Sequence, residues 1–135
     1  MSAEDITKNG NKVVSDKMDK VGRAIGMEIL GRVTNRTPVD TGRAKGNWNT
    51  SINRPDFSTS ENVDKSGAST RSRGKSIMNG FRLGQGQTLH ISNGLPYIER
   101  LEQGYSQQAP IGMVTVTVAE LKDWVQRIGG RLSNE

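Results

Sequence analysis

The sequence predicts an α+β fold: long N-terminal and C-terminal helices packed on a small antiparallel sheet, with one long irregular loop. Three observations predict it. Val14, Met18, Val21, Ile25, Ile29 and Val33 recur at three- and four-residue steps, which puts them on one stripe of a helix over residues 3–35. Val114, Val118, Leu121, Val125 and Ile128 do the same near the other end. Between them, Trp48, Thr50 and Ile52 alternate with Asn47, Asn49 and Ser51, the two-residue period of a half-buried strand.

The first helix carries Gly22, Gly26 and Gly31, each costing about 1 kcal/mol relative to Ala in a helix interior. Gly22 and Gly26 together read as a ledge where another element crosses closely. Pro38 stops the helix, because it disfavours helical geometry at Thr37. The run 40–43 reads as a turn in which the Asp40 carboxylate caps the amides that follow. A loop rich in Ser, Asn and Asp follows the first strand, and a flexible basic loop is expected over 53–75. Ile77, Met78 and Phe81 fall at helical spacing and predict a short helix over 73–82. A second strand over 88–92 puts Leu89 and Ile91 on one face and His90 on the other. Pro96 opens a short helix through Leu101, and Gly104 closes it.

Residues 114–118, Val-Thr-Val-Thr-Val, alternate like a strand and are rich in β-branched side chains. The longer four-three periodicity overrides that local pattern, so one helix is predicted over 113–128, ended by Gly129 and Gly130.

A chain of 135 residues suits one domain, 1–135. At 32% apolar and 4% aromatic its core is thin, and part of its apolar surface is expected to lie against another subunit. The absence of cysteine removes disulfides, thiolate metal sites and a cysteine nucleophile, and the single histidine, His90, removes any site needing two imidazoles. Apart from the neighbours Glu4 and Asp5 the carboxylates are scattered singly, some of them beside Lys or Arg as in Glu99-Arg100, and propose no acid and base pair. Gly84-Gln85-Gly86 lacks the third glycine of a dinucleotide loop, and no phosphate loop occurs. Neither an enzyme nor a cofactor is predicted. Apolar runs of two or three residues predict no signal peptide and no membrane span.

The net charge of +5 has one location. Residues 65–98 contain no acid and hold Lys65, Arg71, Arg73, Lys75 and Arg82; the other 14 basic residues equal the 14 acidic ones in number. A localised basic patch attracts polyanions through counterion release, so these five side chains are candidates for facing DNA. The same run also has the composition of a solvated loop.

Two stretches carry a resemblance. One is Thr37-Pro38-Val39-Asp40-Thr41-Gly42-Arg43. The other spans residues 93–114 and shows, in order, Asn93, Pro96-Tyr97, Leu101-Glu102, Gly104-Tyr105-Ser106, Gln108-Ala109-Pro110 and Gly112-Met113. Together they resemble the neck and tail-completion proteins of long-tailed bacteriophages, minor tail proteins of the family typified by lambda protein Z. About 30 residues carry the match, and residues 53–87 carry none of it.

The resemblance implies a non-catalytic virion component at the joint between capsid and tail, assembled in the host cytoplasm. It implies a homo-oligomeric ring, taken here as sixfold, that contacts tail terminator, tail-tube or head-closure proteins and surrounds packaged double-stranded DNA. Heterologous contacts between copies close into such rings, and a ring around a genome gives a base-blind basic lining a purpose. Where the resemblance is densest, Tyr97, Glu102, Tyr105, Gln107, Gln108 and Pro110 are candidates for subunit contact. The other reading of these residues is that they brace the turn before the last helix. The alternative function, a free cytoplasmic non-specific nucleic-acid-binding protein using Arg71, Arg73 and Lys75, is short of stacking aromatics: Phe81 alone lies in the basic segment before Tyr97.

Overall fold

Helices and one two-stranded antiparallel sheet make up the computed structural model, which describes residues 3–133 and the side chains of residues 10–127. The order is α1 (Ala3–Arg36), α2 (Arg43–Gly46), β1 (Asn49–Ile52), α3 (Ala68–Met78), a single 3-10 turn (Leu83–Gln85), β2 (Leu89–Ser92), α4 (Ile98–Glu102) and α5 (Val114–Ser133). The α+β class is as expected. Asn49 pairs with Ser92, Thr50 with Ile91, Ser51 with His90 and Ile52 with Leu89. Among the described residues only two strands form, so the faces of the sheet depend on what packs against them.

It is α3 that lies against β1 and against α1, while α5 lies along α1. Small residues make these approaches possible. A Cβ at Gly74 of α3 would collide with Leu30 Cδ2 and stand 2.8 Å from Thr50 Oγ1. A Cβ at Gly22 would lie 3.0 Å from the Phe81 ring, and one at Gly26 would strike Leu89 and lie 3.1 Å from Met78 Sδ. The Gly22 and Gly26 ledge is therefore a crossing point, as the spacing suggested. Leu30, Val33, Trp48, Met78, Ala109 and Met113 form the buried core, drawn from α1, α3, the residue just before β1 and the loop entering α5.

The buried face of α1 is offset from the apolar stripe. Asp19, Gly22, Gly26, Leu30, Val33 and Thr34 are buried, whereas Val14 is 59% and Met18 43% exposed and Val21, Ile25 and Ile29 are half-buried. Periodicity of apolar side chains missed this because close contact selected small residues over large ones. In α5, Val118 and Val125 are likewise exposed; Ile128 lies outside the described side chains.

Three local expectations are corrected. The basic loop expected over 53–75 is irregular only as far as Gly67; residues 68–78 are helical, and the helix begins five residues before the predicted 73. Asp64 causes the early start, since Oδ1 accepts the Gly67 N–H at 2.9 Å and Oδ2 accepts the Thr70 N–H and Oγ1–H at 2.8 Å. Burial raises the Asp64 carboxyl pKa, but the Thr70 and Gly67 donors and the Arg71 charge outweigh it and hold the group below the usual carboxylate range. Gly129 and Gly130 do not end α5, which continues to Ser133, because glycine weakens a helix without blocking it. Among the described residues Asp40 accepts no capping bond; Thr41 Oγ1 takes the Arg43 N–H instead, at 3.2 Å.

The glycine contacts set a test. Gly74→Ala is expected to destabilise by roughly 1–3 kcal/mol, because the fully buried Leu30 has nowhere to move. Gly31, whose Cβ would meet nothing within 4 Å, is expected to gain up to about 1 kcal/mol on change to Ala. Paired denaturant titrations check both; equal effects would show that the close approach at Gly74 is not a packing constraint.

Candidate functional site

The two stretches singled out in the sequence, 37–43 and 93–114, are some fifty residues apart and meet in space. Thr37 ends α1 by donating its hydroxyl to the Val33 carbonyl at 2.6 Å, and its oxygen accepts the buried Trp48 Nε1–H at 2.8 Å. The following turn is held from the other stretch. Gln108 closes on Val39 with both ends of its amide: Oε1 accepts the Val39 N–H at 2.8 Å and Nε2 donates to the Val39 carbonyl at 3.1 Å. Asn93 donates to the Ala44 carbonyl at 2.9 Å while its own oxygen accepts the Leu95 N–H. A cleft of about 250 Å³ lies between the stretches, with Val39, Asp40, Thr41 and Arg43 on one wall and Tyr97, Ser106 and Gln108 on the other.

Within the second stretch, α4 ends in a left-handed turn at Gly104 (φ 88°), where the Tyr105 N–H reaches the Arg100 carbonyl and the Gly104 N–H reaches that of Leu101. A Cβ at Gly104 would strike the Pro110 carbonyl. Gly112 (φ 81°) passes as closely beside the Glu102 carbonyl. These approaches, with the Ala109 N–H bonded to Ser106 O, give the segment 104–112 one defined path.

Glu102 is committed inside the subunit. Its Oε2 accepts the N–H groups of Met113 at 2.9 Å and Val114 at 2.8 Å, and its Oε1 accepts that of Thr115 at 2.8 Å, so it caps α5. Burial raises the Glu102 pKa, but the donors from Val114, Thr115 and Met113 outweigh it, and the carboxyl sits below its usual range. Glu120 then fastens the body of α5 to α1, pairing with Arg32 at 2.7 Å and with Arg36.

The other interface candidates separate by what they touch. Gln108 is the internal clamp just described. Tyr105 is 75% exposed, and Gln107 and Pro110 are exposed beside it. Tyr97 borders the cleft. Ile111, 67% exposed between Pro110 and Gly112, belongs to the same surface and was not picked out from the sequence. Its place between Pro110 and Gly112 was the signal available in the sequence.

The five DNA-facing candidates are not equivalent. Lys65 and Lys75 project from the surface. Arg73 donates to the Gly46 carbonyl at 2.8 Å, and Arg71 to the Ser66 carbonyl at 3.3 Å. Arg82 is half-exposed and partly engaged: it donates to the Asn79 and Phe81 carbonyls and approaches the buried Asp19 at 4.0 Å. Sequence reasoning missed Lys45, which is buried next to Arg71. His90 shares a hydrogen bond with Thr88 Oγ1 at 3.1 Å. No helix among the described residues is long and apolar enough to cross a membrane.

Comparison of the chain with protein-family models, with curated proteins and with solved structures finds no match.

The Glu102 cap is testable by pH. A carboxylate with a lowered pKa contributes stability that is complete above its ordinary value near 4.3 and is lost as pH falls through the lowered value. Glu102→Gln is expected to cost about 1–2 kcal/mol at pH 7 and to flatten the stability profile in acid. Urea melts at pH 7 and across the acid range check this, and an unchanged acid profile would refute it.

Proposed function

We propose that this chain is a structural subunit of the head-to-tail joint of a long-tailed bacteriophage, acting as a neck or tail-completion protein without catalytic activity. In this reading the long terminal helices flank the small sheet, copies associate as a sixfold ring, and the ring meets tail terminator, tail-tube or head-closure proteins around packaged DNA. The observation that carries it is the clamp of Gln108 on Val39. The two stretches that bear the family resemblance fold into one rigid surface, although the segment between them bears none. A chance likeness in two short peptides gives no reason for them to touch.

The physical form of that surface suits subunit contact. Tyr105, Gln107, Pro110 and Ile111 stand on a backbone with little freedom, so little conformational entropy is lost when a neighbour covers them. Tyr supplies a large apolar face with a polar tip. The apolar side chains left exposed on α1 and α5, Val14, Met18, Val118 and Val125, add surface that a ring would bury.

Double substitution of Tyr105 and Gln107 by Ala is expected to leave unfolding free energy within about 0.5 kcal/mol of wild type while heads and tails fail to join. Gln108→Ala is expected instead to cost about 1 kcal/mol through the lost clamp. Complementation with electron microscopy of particles reads the first, and thermal melts of the isolated subunit read both. Virions that lack the chain, or normal joining by the double variant, would overturn the assignment.

A further inference from the structure

The outer edge of β2 is free. The Asn53 N–H bonds the Thr88 carbonyl at 2.7 Å, and with the register of the sheet this makes Thr88, His90 and Ser92 the residues that exchange bonds with the neighbouring strand. The N–H and C=O groups of Leu89 and Ile91 therefore point the other way, and among the described residues nothing bonds them. Exposed edges are ordinarily blunted by proline, by charge or by a covering element. Leu89-His90-Ile91-Ser92 carries no proline, no lysine and no acid.

Two apolar grooves flank that edge, and Ile91 lines both. On the face that carries Leu89 and Ile91, about 360 Å³ lies open between β2 and α1, walled by Ile25, Ile29, Phe81 and Leu83. On the face that carries His90 and Ser92, about 350 Å³ lies between Phe57 and Ile98, over Trp48 and Met113. Successive side chains of an added strand turn to opposite faces, so they would enter the two grooves in turn while its backbone bonds Leu89 and Ile91. Both grooves ask for apolar side chains, and Glu99 and Glu102 also line the second. Glu102 is committed to capping α5, whereas Glu99 is exposed and, among the described residues, in no ion pair. A cation on the incoming strand complements it. A second copy of this chain fits less well: its alternating apolar run, 114–118, is helical in α5, and its own β2 would set His90 and Ser92 against an apolar groove.

We propose that the β2 edge takes an extended segment of a different protein by strand addition, with apolar side chains alternating between the two grooves and a lysine or arginine beside Glu99. The edge is four residues long, so the captured segment need span only about 14 Å. This site does not rest on the phage reading, and its test uses no virions.

The probe is a pool of N-acetylated octapeptides with Val, Ile, Leu or Phe at the four central positions and Lys at both ends, titrated against the isotopically labelled full chain. Saturable binding is expected, with the Leu89 and Ile91 amides shifted and protected from exchange. The tightest peptide is then N-methylated on alternate residues, in two versions. Only one set of its amides faces β2, so one version is expected to bind at least about tenfold more weakly and the other within about twofold of the parent. Phe57 is exposed, and Phe57→Ala is expected to weaken binding about fivefold, and Glu99→Gln about twofold, without loss of thermal stability. Equal binding of the two methylated versions would mean apolar capture without strand addition and would overturn the proposal, as would no saturable binding at about 1 mM peptide. Self-association of the chain alone that protects the same two amides would assign the edge to a second copy and overturn the separate partner.

Discussion

The approach of α3 to α1 and β1 at Gly74 is the constraint on which the rest of the architecture depends. With only two strands among the described residues and few large apolar side chains, the chain does not build its core by stacking broad faces. It brings backbones together instead. Gly74 admits Leu30 of α1, while Gly22 and Gly26 admit Phe81, Leu83, Met78 and Leu89. These contacts fix where β1 begins, and so where Trp48 is buried and hydrogen-bonded to Thr37. The turn after α1 is thereby set against the core before any partner is considered.

From that anchor the functional surface is built by polar clamps more than by apolar packing. Asn93 and Gln108 grip the turn from outside, Glu102 caps α5, and Glu120 ties α5 to Arg32 and Arg36. Several of these side chains serve backbone groups that would otherwise face an irregular loop unpaired. The result is a loop surface with defined geometry whose exposed residues, Tyr105, Gln107, Pro110 and Ile111, bear little responsibility for holding it together. That division lets a surface specialise for contact without endangering the fold.

The four-residue α2 lies between the motif surface and the basic segment. Ala44 receives the Asn93 amide on the motif side, and the next residue, Lys45, runs toward Arg71 on the basic side.

By itself the sequence determined the class of fold, the two strands, the turn at Gly104 and the ledge at Gly22 and Gly26, because each rests on local geometry: a two-residue period, a left-handed dihedral, a missing Cβ. It also marked the peptides that make up the candidate surface. What it left open was set by contacts between distant residues. Asp64 turned an apparent loop into the first turns of α3, and the demand for close approach buried Gly74 and Asp19 while Val14 and Met18 stayed outside. Glu102, legible only as a charge, was committed to capping α5 by amides eleven to thirteen residues on, and Lys45, one lysine among several, had its stem buried beside Arg71. Only the tertiary structure decided these, because a charge or a small residue takes its role from whatever the fold sets against it, and that neighbour is not local in sequence.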